Sequence, residues 1–232
     1  MEKQVEFKVG KDTLRGKVYI PDGKPPFPGV IFFHGSGGVG ETQFETAKLI
    51  SRRGIVGFAF NYRGTGLSEG KFEDQTISMG VEDGKSAVDF LLSIKELDKN
   101  RLGFVGGSFG GYVSSMICNT LSIKSMVLEA PASYPASSIN NQRDTDRDLG
   151  IRFEESKSYE EIAKYKGDLM IQICELDDVL PEGMAEMYFD SAKNAKKKAK
   201  YIIKGAKHRL SVDPIRKKDS QDKIISWFLE TL

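Results

Sequence analysis

The sequence predicts a three-layer α/β domain, in which helices cover both faces of a mostly parallel, eight-stranded sheet. Short apolar runs rich in β-branched and aromatic residues alternate with longer amphipathic segments. The later runs are apolar throughout, which is typical of strands that are covered on both faces. No helical segment separates the first two runs, so we expect them to form an antiparallel hairpin at one edge of the sheet.

The predicted elements are bounded by Gly, Pro or charged residues. The predicted strands are Val5–Val9, Leu14–Ile20, Val30–Phe33, Ile55–Phe60, Leu102–Val105, Met126–Leu128, Leu169–Ile173 and Tyr201–Ile203. The predicted helices are Thr42–Arg53, Ile77–Leu97, Gly110–Asn119, Tyr159–Tyr165, Glu182–Lys196 and Asp213–Glu230.

A polar segment between Pro131 and Gly167 interrupts this alternation. It is rich in Asn, Asp, Arg and Ser, and connections of this length are usually functional or disordered. We interpret residues 133–157 as a small lid inserted into a single domain that covers residues 1–232. A solvated surface loop is the alternative interpretation.

Composition limits the classes of partner. The chain has 232 residues and a net charge of +1, which provides no field to attract nucleic acid or an anionic membrane. No apolar run is long enough to span a bilayer, and the first residues lack the apolar core of a signal peptide. With only two cysteines, Cys118 and Cys174, we expect a reduced, cytoplasmic protein. Nothing in the sequence excludes a homodimer.

The pattern G-x-S-x-G occurs twice, around Ser68 and around Ser108. Ser108 directly follows the predicted strand Leu102–Val105 and precedes a predicted helix, which is the strand–turn–helix setting of a nucleophile elbow. The glycines around it allow the sharp turn that such an elbow needs. Ser68 lies in a Gly-rich loop with no helix beside it, so we interpret it as a turn residue. Ser108 is therefore the candidate nucleophile.

A serine nucleophile needs a base and a group that orients the base. The chain has two histidines, and His208 lies in a loop after the last predicted strand. Three acids compete for the third role in the loop after Leu169–Ile173. We choose Asp177, with Asp178 second and Glu175 third. Capping of the following helix is the alternative role for these acids.

Backbone N–H groups are the predicted donors to the oxyanion that forms during acyl transfer. The first is the N–H of Phe109, the residue after the nucleophile. The second is expected from the small-residue loop after Val30–Phe33, where we favour the N–H of Ser36. In this prediction Gly35 and Gly37 make the backbone approachable, and His34 orients the loop through its side chain rather than acting as a base.

This set of residues resembles the α/β-hydrolase superfamily, in which the catalytic residues follow the order Ser, Asp, His along the chain. The segment from Asn61 to Phe72, NYRGTGLSEGKF, is similar to a loop of small serine esterases of the cinnamoyl/feruloyl-esterase and dienelactone-hydrolase types. The resemblance implies an α/β-hydrolase fold with Ser108 as nucleophile, Asp177 as acid, His208 as base, and Ser36 and Phe109 as oxyanion donors. Dienelactone hydrolases use Cys as the nucleophile, so Ser108 favours ordinary ester hydrolysis.

The predicted function is cleavage of a small carboxylic ester, with a short or medium acyl chain or an aromatic acyl group, through an acyl-enzyme. No cofactor is expected. A metal is disfavoured because two histidines without metal-ligand spacing make a poor set of ligands. A nucleotide phosphate loop is disfavoured because Glu41 stands where the lysine is required. A peptidase or amidase of the same fold and a non-catalytic binding protein remain the alternatives.

A basic run lies near the C-terminal third of the chain. We interpret it as the solvated face of a helix, and a nucleic-acid patch is the weaker alternative because no aromatic residues are interleaved with it. The run consists of Lys193, Lys196, Lys197, Lys198 and Lys200.

Overall fold

A computed structural model describes residues 1–142 and 152–232 of the chain. All its named strands belong to one eight-stranded sheet with the order β1-β2-β4-β3-β5-β6-β7-β8. The strands are β1 (Glu2–Val9), β2 (Asp12–Tyr19), β3 (Phe27–Phe33), β4 (Val56–Phe60), β5 (Leu97–Gly107), β6 (Ser125–Glu129), β7 (Asp168–Cys174) and β8 (Lys197–Ile203). Strands β3 to β8 run parallel to one another, which confirms the predicted mostly parallel sheet.

Helices cover both faces of the sheet. The helices are α1 (Glu41–Ser51), α2 (Ile77–Leu92), α3 (Phe109–Ile117), α4 (Lys157–Lys164), α5 (Met184–Ser191) and α6 (Pro214–Thr231). Helices α1 and α6 enclose one apolar cluster on one face, and α2 to α5 pack over the other face. Central strands such as Val30–Phe33 are buried on both faces, as their continuous apolar sequence predicts.

The first two strands form the predicted antiparallel hairpin at one edge. Glu2 pairs with Tyr19 at one end and Val9 with Asp12 at the other, so the turn contains only two residues. Gly10 has φ 55°, a conformation that glycine adopts without steric cost. Strand β2 then joins the hairpin to β4 in an antiparallel pair.

Two predicted helix ends were wrong. Helix α2 ends at Leu92 rather than Leu97, because Leu97 is the first residue of β5 and pairs with Phe27. Helix α5 ends at Ser191, and Ala192 already has the non-helical ψ of 60°. Apolar spacing continues beyond both ends, so periodicity alone does not reveal the termination.

The basic run is a strand edge and not a helix face. Its members Lys197, Lys198 and Lys200 lie in β8, which is the outer strand of the parallel side. The Lys198 ammonium lies 4.4 Å from the ring centre of Phe189, and the Lys197 ammonium lies 4.9 Å from that of Trp227. Lysines on an edge strand oppose pairing with another sheet, which explains the run without a nucleic-acid partner.

The predicted lid, residues 133–157, is described only at its two ends, since residues 143–151 lie outside the described part of the chain. The two ends are joined by a hydrogen bond of 3.1 Å from the Ser133 hydroxyl to the carbonyl oxygen of Phe153. Gln142 forms an isolated antiparallel bridge with Thr76, immediately before α2. The lid itself stays a prediction.

Candidate active site

Ser108 occupies a strained turn between β5 and α3. Its φ of 50° and ψ of −117° are unfavourable for a residue with a side chain, and such strain is concentrated at functional sites. The turn depends on glycine, because a Cβ on Gly106 would lie 2.4 Å from the carbonyl oxygen of Gly110. The Ser108 N–H donates to the carbonyl oxygen of Glu129 at 3.0 Å, which fixes the turn against β6.

The loops after β7 and β8 bring an acid and an imidazole to this hydroxyl. Nε2 of His208 lies 3.0 Å from Oγ of Ser108, and Nδ1 of His208 lies 2.8 Å from Oδ2 of Asp177. The His208 and Asp177 side chains are only 11% and 16% exposed. The structure therefore brings Ser108, His208 and Asp177 together in one connected chain of hydrogen bonds.

The direction of these hydrogen bonds follows from the acid. An ionised carboxylate can only accept, so Nδ1 of His208 must carry the proton that is donated to Asp177. In the neutral imidazole, Nε2 is then an acceptor that faces the Ser108 hydroxyl. This arrangement can remove the hydroxyl proton as the oxygen attacks an electrophile.

Asp177 is held in its ionised form. Burial acts to raise its pKa, but the hydrogen bond with His208 and two backbone donors outweigh it, and the pKa falls below its ordinary value. The two donors are the N–H groups of Val179 and Leu180, which lie 3.0 Å and 2.9 Å from Oδ1. One oxygen therefore fixes the local turn while the other accepts from the imidazole.

The two competing acids have other partners. Asp178 accepts the backbone N–H of His208 at 3.3 Å and forms an ion pair with Lys207 at 3.2 Å. Glu175 accepts from the Lys204 ammonium at 2.6 Å and from the Gly205 N–H at 2.7 Å. Both acids hold the loop that carries His208, whereas Asp177 alone contacts the imidazole.

Ser108 and His208 line a cleft of about 630 Å³, and the loop after β3 forms another part of its wall. Gly35, Ser36 and Gly37 line this cleft, as the oxyanion prediction requires. Gly110 allows the first turn of α3 to approach the end of β3, since a Cβ there would lie 2.1 Å from the Phe33 carbonyl oxygen.

Phe109 begins α3 directly after Ser108, and its ring is fully buried. The ring packs edge-on against Tyr62 and Tyr134, with centroid distances of 5.5 Å and 6.0 Å. This packing fixes the backbone at the start of the helix, where the helix dipole favours negative charge.

His34 is buried and acts on the loop rather than on the hydroxyl of Ser108. Its Nδ1 lies 2.7 Å from the Gly35 carbonyl oxygen, while its Nε2 accepts from the Tyr62 N–H at 3.4 Å. Thr65 Oγ1 lies 3.5 Å from the same Nε2. These contacts hold the His34 ring between the loop after β3 and the segment that follows β4, and its orienting role stays a prediction.

The loop from Asn61 to Gly70 contacts His34 through Tyr62 and Thr65. Arg63 is its anchor, and its Nε donates to Oδ1 of the fully buried Asp83 at 2.6 Å. The Arg63 N–H also donates to Oδ2 of Asp83, at 2.8 Å. Ser68 donates its hydroxyl to the Asn61 carbonyl oxygen at 2.7 Å and accepts the Arg15 N–H at 2.9 Å, so it closes a turn.

Comparison with known proteins identifies the family. The family model described as the prolyl oligopeptidase family matches residues 41–232, which include all three residues of the hydrogen-bonded chain. The chain belongs to the prolyl oligopeptidase family. The loop of this family member that carries His34 and Ser36 precedes the matched region.

Curated relatives of this family member are distant and longer. Esterase EstD of Thermotoga maritima is 27% identical over 135 residues, which are 54% of this chain and 32% of that protein. The quorum-quenching protein AidA of Acinetobacter baumannii is 27% identical over 130 residues, or 55% of this chain and 43% of AidA. The matched region therefore spans less than half of each relative.

Solved structures share the fold over nearly the whole chain. Est1E of Butyrivibrio proteoclasticus, solved with ferulic acid bound, is similar with a TM-score of 0.75 at 16% identity and covers 98% of both chains. At these identities the likeness shows the fold alone, and it confirms the predicted α/β-hydrolase architecture.

The cleft also contains an acid outside the predicted site. Glu129, at the end of β6, lines the cleft. The available signal was its position after a predicted strand at the same edge of the sheet. Tyr134, Tyr159 and Tyr165 are buried and do not line the cleft.

Within residues 1–142 and 152–232, no helix is long and apolar enough to cross a membrane. Within the same ranges, no three His, Cys, Asp or Glu side chains are grouped so that they could hold a metal ion.

Proposed function

We propose that this family member is a serine esterase that cleaves small carboxylic esters through an acyl-enzyme. The observation that carries the proposal is the connected chain from the Ser108 hydroxyl through His208 to Asp177, with contacts of 3.0 Å and 2.8 Å. The similarity to an esterase and the shared fold with Est1E support the same reaction class.

In the first half of the reaction, Ser108 Oγ attacks the ester carbonyl carbon while Nε2 of His208 takes the hydroxyl proton. Asp177 stabilises the imidazolium that forms. The N–H groups of Phe109 and Ser36 donate to the oxyanion of the tetrahedral intermediate. The intermediate collapses, the alcohol leaves with the proton from His208, and the acyl group stays on Ser108.

In the second half, His208 takes a proton from water as the water attacks the acyl carbonyl. Collapse of the second intermediate releases the carboxylic acid and returns the proton to Ser108. This family member's own residues supply every proton transfer in the scheme.

The cleft supports a small substrate. Its volume of about 630 Å³ lies within the usual range of small-molecule sites. Val39, Val179 and Leu210 provide apolar lining, which suits a short or medium alkyl chain or one aromatic ring. We keep the cytoplasm as the proposed compartment, since both cysteines are free thiols.

The decisive test is covalent labelling with a fluorophosphonate probe, followed by mass spectrometry of the peptides. The proposal expects one adduct, on Ser108, and hydrolysis of 4-nitrophenyl esters that the probe abolishes. The absence of any adduct on native protein would contradict the proposal and favour a non-catalytic binding protein.

An amidase or peptidase is the second candidate, because the matched family model is that of prolyl oligopeptidases. The acylaminoacyl peptidase of Pyrococcus horikoshii also shares the fold, with a TM-score of 0.77 at 18% identity. The structural match covers all of this chain but only 42% of the peptidase chain. Matched esters and anilides of one acyl group separate the candidates, and faster cleavage of the anilide would favour the peptidase.

A further inference from the structure

Glu129 is a buried acid on the wall of the cleft that the proposed reaction does not use. It is the last residue of β6 and pairs with Gly107 of β5 on one side and Gln172 of β7 on the other. Its side chain is inside the protein, since only 8% of the residue is exposed. It nevertheless lines the same cleft as Ser108.

The two carboxyl oxygens of Glu129 have different surroundings. Oε1 lies 3.1 Å from the hydroxyl of Ser220 in α6, and the same hydroxyl lies 2.6 Å from Oε1 of Gln172. Oε2 lies beside Gly107, where a Cβ would be only 3.7 Å away from it. Gly107 lines the cleft together with Glu129, and it has no side chain that would narrow the cleft beside Oε2.

Within residues 1–142 and 152–232, no Lys or Arg side chain pairs with this carboxyl. The hydrogen-bonding side chain at this carboxyl is the neutral hydroxyl of Ser220 in α6, which also contacts the Gln172 amide of β7. Burial raises its pKa, against the opposing effects of the Ser220 hydrogen bond and of charge on His208.

The backbone around Glu129 is also unusual. Ala130 follows it with φ 40°, which is strained for a residue with a side chain. The Ala130 N–H donates to the Gln172 carbonyl oxygen at 2.8 Å, which holds this conformation. A strained turn therefore positions at the cleft an acid that has no Lys or Arg partner among the described residues.

We propose that Glu129 is a specificity-determining residue, which gives the cleft a subsite for a positively charged nitrogen on the substrate. A primary ammonium fits the observations best, since its N–H can donate to Oε2 while the ester carbonyl lies at Ser108. The proposal rests on the proposed esterase function. Buried charges are normally paired, and here the ligand supplies the partner.

Other charges at the cleft do not provide an equivalent site. Glu41 and Arg209 both line the cleft but are exposed, so water and salt weaken their interactions with a ligand. Glu41 is therefore a suitable control, because it is an acid at the same cleft without burial.

The first experiment compares ethyl esters of ω-amino acids with ethyl esters of alkanoic acids of matched length. The rate of hydrolysis is measured by titration of the released acid. For the native enzyme we expect kcat/KM to be about ten-fold higher or more for the cationic member of the best pair. Glu129→Gln should remove this ratio, whereas Glu41→Gln should keep it. Equal kcat/KM values within every pair, in folded native enzyme, would overturn the proposal.

The second experiment measures binding without turnover. Calorimetry with hexylammonium chloride should give a Kd about ten-fold lower for the native protein than for Glu129→Gln, with 1-hexanol as the neutral control. Ester hydrolysis without a charge preference, together with equal Kd values, would contradict the ammonium subsite but not the esterase function. Glu129-dependent binding without any ester hydrolysis would support the subsite and contradict the esterase function. If Glu129→Gln does not fold, the native protein alone is the test. Tighter binding of hexylammonium than of 1-hexanol would support the subsite, and equal binding would contradict it.

Discussion

Ser68 and Ser108 occupy the same five-residue pattern but different chemical environments. The Ser108 hydroxyl faces an imidazole at 3.0 Å from a strained turn between a strand and a helix. The Ser68 hydroxyl has a backbone carbonyl and a backbone N–H as partners, at 2.7 Å and 2.9 Å, and no base. A hydroxyl with both functions satisfied by the backbone holds a loop together. The G-x-S-x-G pattern therefore indicates a reactive serine only where the topology places a base beside its hydroxyl.

The two histidines repeat this contrast. Nε2 of His208 faces the Ser108 hydroxyl, whereas Nε2 of His34 accepts from the Tyr62 N–H in the interior. The Ser68 and His34 region thus holds loops in place, and we propose that the Ser108 and His208 region carries the reaction. Substitutions in each region test that division.

Ser108→Ala and Ser68→Ala should separate activity from stability most clearly. Loss of the nucleophile should lower kcat for 4-nitrophenyl butyrate by about 10⁵-fold or more, because no other group can form the acyl-enzyme. Ser68→Ala should keep kcat and lower the free energy of unfolding by about 1 kcal/mol, since two hydrogen bonds are lost. Steady-state kinetics and urea denaturation measure both. A loss of kcat in Ser68→Ala with intact structure would show that the division is wrong.

Asp177→Asn and Asp178→Asn form the next pair. In Asp177→Asn the imidazole loses the acceptor that holds its proton on Nδ1, and kcat should fall by about 10³- to 10⁴-fold. Asp178→Asn loses an exposed ion pair with Lys207 and should change kcat less than about ten-fold. Kinetics at neutral pH on both variants test this. Equal losses would mean that the position of the His208 loop matters as much as the imidazole contact.

Much of the fold was predictable from the sequence, because the signals were local. Strands such as Val30–Phe33 are apolar throughout, and the Ser108 elbow combines a strand, small residues and a helix within one short segment. The helix ends at Leu92 and Ser191 were not predictable in this way, since sheet pairing of Leu97 and Lys197 determines where the helical pattern stops.

The site was predictable only in part, for a similar reason. The sequence favoured Asp177 over Asp178, but both acids follow the same strand, and only the coordinates show that Asp177 contacts the imidazole while Asp178 contacts the backbone of His208. Glu129 was missed because a single acid after a short strand has no pattern around it. The pairing of Arg63 with Asp83 joins residues 20 positions apart without any motif.

Asp83→Asn should show that the supporting region carries stability. Asp83 is fully buried and both of its carboxyl oxygens accept from Arg63, so the substitution leaves a buried guanidinium without its main countercharge. The free energy of unfolding should fall by about 3 kcal/mol. Urea denaturation measures the loss, with the exposed acid variant Asp222→Asn as a control that should change it little. If the free energy of unfolding falls no more than in the control, the ion pair with Glu82 alone is sufficient to stabilise the Arg63 guanidinium.

Glu129→Gln should show the opposite behaviour, because this buried acid forms no ion pair with a Lys or Arg in the described part of the chain. Its pKa is raised above the ordinary 4.5 in the folded protein by burial, so the folded state binds the proton more tightly than the unfolded state. The resulting stabilisation is complete below pH 4.5 and is lost as the pH rises through the raised value. Urea denaturation over a series of pH values rising from 4.5 should therefore show a loss of stability in the native protein that is absent in Glu129→Gln. If both proteins lose stability equally over this range, a protein group neutralises Glu129, and the acid of the reactive region is paired like Asp83.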